Sequence, residues 1–194
     1  MEQLAFQHRL TIEEYLALEK ETHTKYEYHN GEVYAMAGGT PTHSLIANNV
    51  GASLNLSLKG KSCFVYNSDL RIATSRNKYV YPDVSVVCGK IESFEELKNA
   101  ANNPVLIVEV LSEETEAYDR GEKFMRYRMI ESFKEYVLIE QRFPLVEIFS
   151  RNEWNKWEFR TFTDLTSIIT LRSVNVEIQL SDIYYGVDFL LFEF

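Results

Sequence analysis

Residues 103–128 read NPVLIVEVLSEETEAYDRGEKFMRYR. The apolar run 105–111 is rich in β-branched residues and predicts a strand that is buried on both faces. Glu109 interrupts this run, and a buried carboxylate costs several kcal/mol unless a positive charge meets it. The predicted strand therefore requires a cation close to Glu109.

The residues that follow this strand predict a helix with a basic residue on its inner face. Asp119–Glu122 has the form of a capping box, so we expect a helix over residues 119–131. Phe124, Tyr127 and Ile130 form its apolar stripe, and at 100° per residue Lys123 falls within the same arc. A buried anion in the strand is thus followed by an inward-facing cation in the helix.

The length and composition of the chain limit the classes of protein to which it can belong. The chain has 194 residues, of which 45% are hydrophobic and 25% charged, and this is typical of a soluble globular protein with one domain over residues 1–194. The net charge of −9 argues against broad electrostatic binding to nucleic acid, although a local basic patch stays possible. We find no apolar run long enough to cross a membrane and no signal-peptide core at the N-terminus. Cys63 and Cys88 are expected to be reduced, which favours a cytoplasmic protein.

The order of the remaining elements indicates a mixed α/β (α+β) fold built on one sheet. A capping box at Thr11 begins the first helix, and Asn30-Gly31 is a strong hairpin turn in which Tyr28 should face Val33 and Glu27 should face Tyr34. The other predicted elements follow in chain order: helix 43–59, strands 63–72 and 79–87, a short helix 91–101, strand 135–140, and closing strands 144–149, 157–163 and 174–180.

Three charged residues carry the predicted chemistry. Pro82 cannot donate to a strand ladder, so Asp83 lies at an edge or a bulge of the second strand. If that strand is a neighbour of the Glu109 strand, the two carboxylates can bind one hard divalent cation. Mg²⁺ (or Mn²⁺) prefers such a pair, with water and phosphate oxygens as its other ligands. Lys123 beside the ion could position or deprotonate an attacking water.

These residues resemble those of a known group of nucleases. Pro82-Asp83, Glu109 and Lys123 resemble the PD-(D/E)xK nuclease superfamily, whose restriction-endonuclease-like core is helix, three strands, helix, strand. More closely, the chain resembles the Uma-two family of restriction endonucleases over residues 10–185. The matching segments are EEYLALE, KYEYHNGEVYAMAG, THSLIANNV, YPDVSVVC, VLIVEVLSEETEAYDRGEKFMRYR and KEYVLIE.

The resemblance implies a metal-dependent DNA endonuclease. Asp83 and Glu109 would hold the metal, and Lys123 would be the catalytic lysine. The superfamily's lysine two positions after the glutamate is Leu111 here, so the resemblance implies that Lys123 replaces it from the next helix. Glu27 would be a further catalytic acid.

Two other residues of the chain are candidates for the same site. By the same resemblance, His43 at a helix start would act on the substrate side or behind the metal ligands. Asp69, beside Arg71 in the first strand, could lie near the metal or be purely structural.

Structural alternatives remain open from the sequence. Asp83 could cap a turn, Glu109 and Lys123 could form a structural ion pair, and Glu27 could be a solvated strand residue. His43 could simply belong to the first turn of its helix. The chain would then be a catalytically silent nuclease-fold module for binding or assembly, which the acidic net charge favours.

We also expect a homodimer. Aromatic residues follow the hairpin 25–36 and the C-terminal tail through Tyr184, Tyr185, Phe189 and Phe192, and exposed aromatic edges need covering. Paired active sites would also suit the cutting of both DNA strands.

Overall fold

The structure, a computed structural model, describes residues 2–4, 8–36 and 38–189. Helices and strands are mixed along the chain, which confirms the predicted mixed α/β (α+β) class. The strands form two six-stranded sheets and one two-stranded sheet, so the expected single sheet is in fact divided. We call the two larger ones the central sheet and the outer sheet.

The central sheet contains the buried strand predicted around Glu109. Its strands, in spatial order, are β12 (Trp157–Phe162), β11 (Val146–Arg151), β10 (Glu135–Glu140), β9 (Pro104–Leu111), β7 (Val84–Cys88) and β4 (Cys63–Asn67). Strands β9 and β10 run parallel, and the other neighbouring pairs run antiparallel. Strand β7 pairs directly with β9, as the expected metal site requires.

The outer sheet contains the predicted hairpin. Its strands, in spatial order, are β1 (Glu2–Leu4), β3 (Glu32–Ala35), β2 (Tyr26–His29), β6 (Lys78–Val80), β5 (Arg71–Ser75) and β8 (Ala100–Ala101). Asn30 and Gly31 connect β2 to β3 with φ angles of 54° and 94°, the positive values that a tight hairpin turn of this kind needs. Tyr28 pairs with Val33 and Glu27 with Tyr34, which confirms the predicted register.

Helices cover both faces of the central sheet. The helices of the described residues are α1 (Ile12–Thr22), α2 (Pro41–Leu58), α3 (Glu116–Tyr118), α4 (Phe124–Tyr127) and α5 (Leu180–Ile183), with a π-helical turn at Asp119–Lys123 between α3 and α4. Of these, α1 packs against the outer sheet. Helix α2 buries Ile46, Val50 and Leu54 against one face, in a cluster that includes Val108 of β9. Helix α4 packs against the other face, where Phe124 and Tyr127 share a cluster with Ile107.

Pro82 marks the point where the chain passes from one sheet to the other. Strand β6 ends at Val80 in the outer sheet, and β7 begins at Val84 in the central sheet. Proline has no N–H to offer to a ladder, so the pairing stops at this residue. The break leaves Asp83 at the start of β7, beside the strand that carries Glu109.

Three expectations from the sequence are wrong in detail. Residues 91–101 form turns and the short strand β8, not a helix. Cys63 and Cys88 are joined by a disulfide bond, because β4 and β7 place them directly opposite each other. The outer strand of the hairpin is covered by β1, so it is not an exposed edge.

The C-terminal part of the chain adds a small hairpin of β13 (Ile168–Leu171) and β14 (Val176–Gln179). Of the aromatic tail residues, Tyr184 is buried, Tyr185 is exposed and Phe189 is half-buried, whereas Phe192 lies outside the described residues. Among the described residues, no helix has the length and apolar character needed to cross a membrane.

Glu135, at the start of β10, connects this hairpin to the central sheet. Its carboxylate is fully buried and accepts hydrogen bonds from the Ser150 hydroxyl at 2.7 Å and from the Ser173 backbone and hydroxyl at 3.0 and 2.8 Å. The Arg172 backbone N–H donates a further bond at 3.2 Å. Strand β11 and the turn between β13 and β14 therefore both depend on the buried Glu135 carboxylate as a hydrogen-bond acceptor.

We expect Glu135→Ala to lower the free energy of unfolding by about 3–5 kcal/mol, because the buried donors lose their partner. Urea denaturation measures the change. Glu131→Ala, at an exposed position in the turn before β10, is the control and should stay within about 0.5 kcal/mol of the parent. Equal unfolding midpoints for the two variants would contradict this role of Glu135.

Candidate active site

Two carboxylates meet where β7 begins alongside β9. Val84 pairs with Val108, which brings Asp83 next to Glu109 across the strand pair. The Val110 backbone N–H donates to Asp83 Oδ2 at 2.7 Å, and the Asp83 backbone N–H lies 3.4 Å from Glu109 Oε2. The structure thus brings together the two residues that were predicted as metal ligands.

Glu109 is buried, with 2% of its surface exposed, and has two donors on the helical side of the sheet. Lys123 Nζ lies 2.8 Å from its Oε1, and the Tyr127 hydroxyl donates to the same oxygen at 2.9 Å. Burial raises the pKa of Glu109 well above its usual range, and the Lys123 ammonium opposes this rise. The ionised form of Glu109 therefore depends on a nearby cation.

Lys123 faces inward, as the helical periodicity predicted. Its ammonium lies 2.8 Å from Glu109, 3.2 Å from Asp119 and 3.7 Å from Glu27, with 7% of the side chain exposed. Burial disfavours the charged form, but these three carboxylates outweigh it and hold the pKa of Lys123 well above its usual value. One positive charge is thus shared among three negative ones.

The π-helical turn that carries Lys123 distinguishes this helix from the expected one. Residues Asp119–Lys123 form a wider turn than the α-helical segments on either side. Such turns are rare and are found mostly at functional sites. Asp119 and Lys123, four residues apart, both point into the site from this turn.

Asp119 is a site residue that the sequence analysis did not identify. Its place in a capping-box pattern suggested a helix N-cap, but the helical segment already begins at Glu116 and Asp119 lies inside it. The side chain is buried, and its Oδ1 accepts no hydrogen bond from any described residue, although Lys123 Nζ is 3.2 Å away. Burial raises the pKa of Asp119. Its spacing of four residues from Lys123 is the sequence feature that could have identified it.

Glu27 enters the site from the outer sheet. It is 1% exposed, accepts a hydrogen bond from the Tyr118 hydroxyl at 2.7 Å and lies 3.3 Å from His29 Nε2. Burial opposes ionisation of this carboxyl, but the Lys123 ammonium, His29 and Tyr118 outweigh it and lower the pKa of Glu27. Glu27 is therefore a buried member of the cluster and not a solvated strand residue.

His43 lies on the other side of Asp83, in the first turn of α2. Thr40 caps this helix by accepting a bond from the His43 backbone N–H at 3.0 Å. The ring Nε2 lies 3.2 Å from Asp83 Oδ2. Burial disfavours the protonated ring, but Asp83 outweighs burial and raises the pKa of His43.

Gly39 leaves room for the His43 ring. A Cβ at this position would lie 2.7 Å from His43 Nδ1, closer than real Cβ contacts allow. The loop before α2 therefore fixes the imidazole against the Asp83 carboxylate.

Asp69 lies apart from this cluster. Its side chain is 72% exposed and forms an ion pair with Lys25 at 2.5 Å. Its other hydrogen bonds, with Asn67, are local to the turn after β4.

A cavity of about 380 Å³ opens onto the cluster. The residues named for the site all line it except Asp69: Glu27, His43, Asp83, Glu109, Asp119 and Lys123. Glu113, Glu114 and Arg142 also line it, so the charged residues around a small ligand would be mostly acidic.

The carboxylates of the cavity fit a hard divalent cation that keeps several of its coordination positions for water or phosphate oxygens. Among the described residues, no group of three His, Cys, Asp or Glu side chains is placed to bind a metal ion. A pair of carboxylates is nevertheless what Mg²⁺ commonly takes from a protein, with waters or phosphate oxygens as its other ligands. Asp119 Oδ1 is buried with Lys123 as its ion-pair partner, and the excess of carboxyl groups over Lys123 is consistent with an additional positive charge.

Comparison with known proteins identifies relatives of this chain. A 33% identical relative, an uncharacterized protein of Synechocystis sp. (slr1290), aligns over 93% of this chain and 94% of its own length. A second uncharacterized protein of that organism (sll1609) is 32% identical over 76% of this chain and 84% of its own. A crystal structure from Anabaena variabilis, titled as a "putative nuclease belonging to DUF820", superposes with a TM-score of 0.71 at 19% identity.

This superposition covers 90% of the present chain and 97% of the Anabaena chain, so the two share a restriction-endonuclease-like fold. The model of the Uma2 family, described as "Putative restriction endonuclease", matches residues 12–181. Because that match spans most of the sequence, the chain belongs to the Uma2 family of restriction-endonuclease-like proteins.

Proposed function

We propose that this protein is a Mg²⁺- or Mn²⁺-dependent endonuclease that hydrolyses phosphodiester bonds in DNA. The observation that carries the proposal is the convergence of Asp83 and Glu109, from adjacent strands, on a cavity that also contains the buried Lys123. The family description and the structural neighbour support a nuclease activity in general.

The roles of the residues follow from their positions. Asp83 and Glu109 would hold the metal, and a Mg²⁺ ion bound there would supply Lewis-acid activation of a phosphate oxygen and a bound water. Lys123 can donate a hydrogen bond to the attacking water or to the phosphate, because its ammonium faces the same cavity. Glu27 and Asp119 keep Lys123 charged and fix its position. His43 orients the Asp83 carboxylate.

A catalytically silent nuclease-fold module for binding or assembly is the alternative. The net charge of −9 favours it, since a nuclease must approach a polyanion. Incubation of supercoiled plasmid with the purified protein separates the two functions. An endonuclease nicks the plasmid with Mg²⁺ or Mn²⁺ and not with EDTA, whereas a silent module leaves it intact in all three.

We also propose that the protein is a homodimer; the Cys63–Cys88 disulfide removes the argument from reduced cysteines for a cytoplasmic location. Strand β12 is an edge of the central sheet and exposes 54% of Phe159, and Ile168 and Tyr185 are exposed as well. Apolar residues on an unpaired edge are stabilised when a second copy covers them. Light scattering at micromolar concentration should give twice the chain mass of 22.7 kDa, and a monomer would refute the dimer.

The substitution Lys123→Met tests the catalytic role against a purely structural one. With Mg²⁺ present we expect the variant to fold and to bind metal as the parent does, because the cation offsets the buried carboxylates. Cleavage should fall by about 100-fold or more. Without metal the variant should lose about 3–5 kcal/mol of stability, because its carboxylates are left unpaired. Thermal melts with and without Mg²⁺, beside the nicking assay, give both readouts.

Lys134→Met is the matched control, since Lys134 is exposed and lies away from the cavity. It should melt and cut like the parent. A Lys123→Met protein that is strongly destabilised even in Mg²⁺ yet still cuts DNA would end the catalytic assignment.

Asp83→Ala should lose metal binding and cleavage together, because one of the two proposed ligands is removed. Isothermal titration with Mn²⁺ measures the first effect and the nicking assay the second. Asp69→Ala is the control for metal binding, since the exposed Asp69 contacts Lys25 and not the cavity. Equal Mn²⁺ affinity in both variants would show that Asp83 is not a ligand.

A further inference from the structure

A groove of about 850 Å³ leads away from the candidate active site. It runs between helix α2, strand β4 and the segment before the hairpin. His43 and Asp83 line both this groove and the active-site cavity, as do Gly38 and Gly39. The two spaces are therefore adjacent and share part of their walls, and a polymer bound in the groove would lie beside Asp83.

The wall that α2 contributes to the groove consists mostly of small residues. Ala47, Gly51 and Ala52 are apolar, and the polar members are His43, Ser44, Asn48 and Asn55. Ser44, Asn48, Ala52 and Asn55 line the groove at a spacing of three or four residues, so they form one stripe along the helix. Asn48 and Asn55 are exposed, whereas the opposite stripe is buried in the core. The whole helix Pro41–Leu58 contains no Asp, Glu, Lys or Arg, although these residues make up 25% of the chain.

The other walls of the groove also contribute polar residues. Strand β4 and the turn after it add Asn67 and Ser68, and Lys25 projects from the facing segment. Lys25 Nζ is 2.9 Å from the Ser68 carbonyl and 2.5 Å from Asp69, which offsets its charge in part. Asp83, which belongs to the active site, is the one carboxylate in the lining of the groove.

We infer that this groove binds an unpaired DNA strand by hydrogen bonds to its bases and leads that strand to Asp83. The inference rests on the proposed nuclease function and names its substrate. Bases of a single strand expose hydrogen-bonding edges, which asparagine amides can pair with as both donors and acceptors. The amides of Asn48 and Asn55 supply such groups along the groove, whereas the Asn67 amide is already hydrogen-bonded to Asp69.

The residues of these walls are poorly suited to bind the phosphates of a double helix. Proteins hold duplex DNA largely by neutralising several phosphates with lysine and arginine. The groove offers one lysine, which is already paired with Asp69, and the histidines His23 and His43. Hydrogen bonds to bases do not need positively charged residues, whereas contacts to phosphates do. The net charge of −9 is therefore compatible with a DNA strand that is held by its bases.

Charge placed in the groove tests the inference. Asn48→Glu and Asn55→Glu should each weaken binding of a labelled single-stranded oligonucleotide by about 10-fold or more, because a carboxylate repels the strand. Leu56→Glu is the matched control: it adds the same charge at the next position of α2, but Leu56 is 78% exposed and lies outside the groove. Its affinity should stay within about 2-fold of the parent, as for an exposed change that removes no contact.

Fluorescence anisotropy in Ca²⁺ measures this binding, with the oligonucleotide checked on a gel for cleavage. The parent should bind the single strand more tightly than a duplex of the same sequence. Its log–log salt dependence should be shallow, with a slope no steeper than about −2, since few phosphates are neutralised.

An equal loss of affinity for the single-stranded oligonucleotide in Leu56→Glu and Asn55→Glu overturns the inference. Tighter binding of the duplex than of the single strand also overturns it. A parent protein that binds the single strand through these asparagines but never cuts it supports the groove while refuting the endonuclease. A parent that cuts plasmid while both asparagine variants bind and cut normally refutes the groove alone.

Discussion

One ammonium group, that of Lys123, lies among more carboxyl groups than it can neutralise. The electrostatics of the site depend on this imbalance of charge. Glu109, Asp119 and Glu27 surround the ammonium within 3.7 Å, and Asp83 lies behind Glu109. Carboxylates crowded at low dielectric stay ionised only when cations are close. The arrangement is therefore costly for folding alone, and it becomes favourable when a further cation or a polarised ligand enters the cavity.

A comparison of two buried glutamates on neighbouring strands shows why Glu109 is a functional candidate and Glu135 is structural. Glu135 is held by hydroxyl and backbone donors and by the Arg160 guanidinium at 3.5 Å, and it does not line the active-site cavity. Glu109 has a lysine and a tyrosine on one side and a cavity on the other. Burial is equal in both, so the distinguishing feature is access to a ligand.

Much of this arrangement could be predicted from local patterns. The charged residue in a buried strand identified Glu109, the helical period identified Lys123, and the Asn30-Gly31 turn gave the hairpin register that brings Glu27 inward. These predictions succeeded because each depends on a period or a turn of a few residues.

The parts that could not be predicted depend on long-range geometry. The division into two sheets follows from the direction in which the chain leaves Pro82, which no pattern in the strand specifies. Asp119 was assigned to a helix cap because the same residue types serve caps and sites. The disulfide follows from the register of β4 against β7, which brings Cys63 opposite Cys88. The expected helix over residues 91–101 was wrong because a polar segment can form turns as readily.

Glu27 reaches Lys123 from a sheet that has its own hydrophobic cluster around Tyr15, Tyr28 and Tyr79. The outer sheet also packs against the central sheet, where Ile72 and Val80 share a cluster with Ile107. The hydrogen bond between Tyr118 and Glu27 joins residues far apart in sequence. Closing such long-range contacts carries an entropic cost that slows folding. A transient opening of the outer sheet would change the environment of Lys123 while the central sheet stays folded. The proposed site thus depends on contacts that are far apart in sequence, and displacement of the outer sheet would take Glu27 away from Lys123.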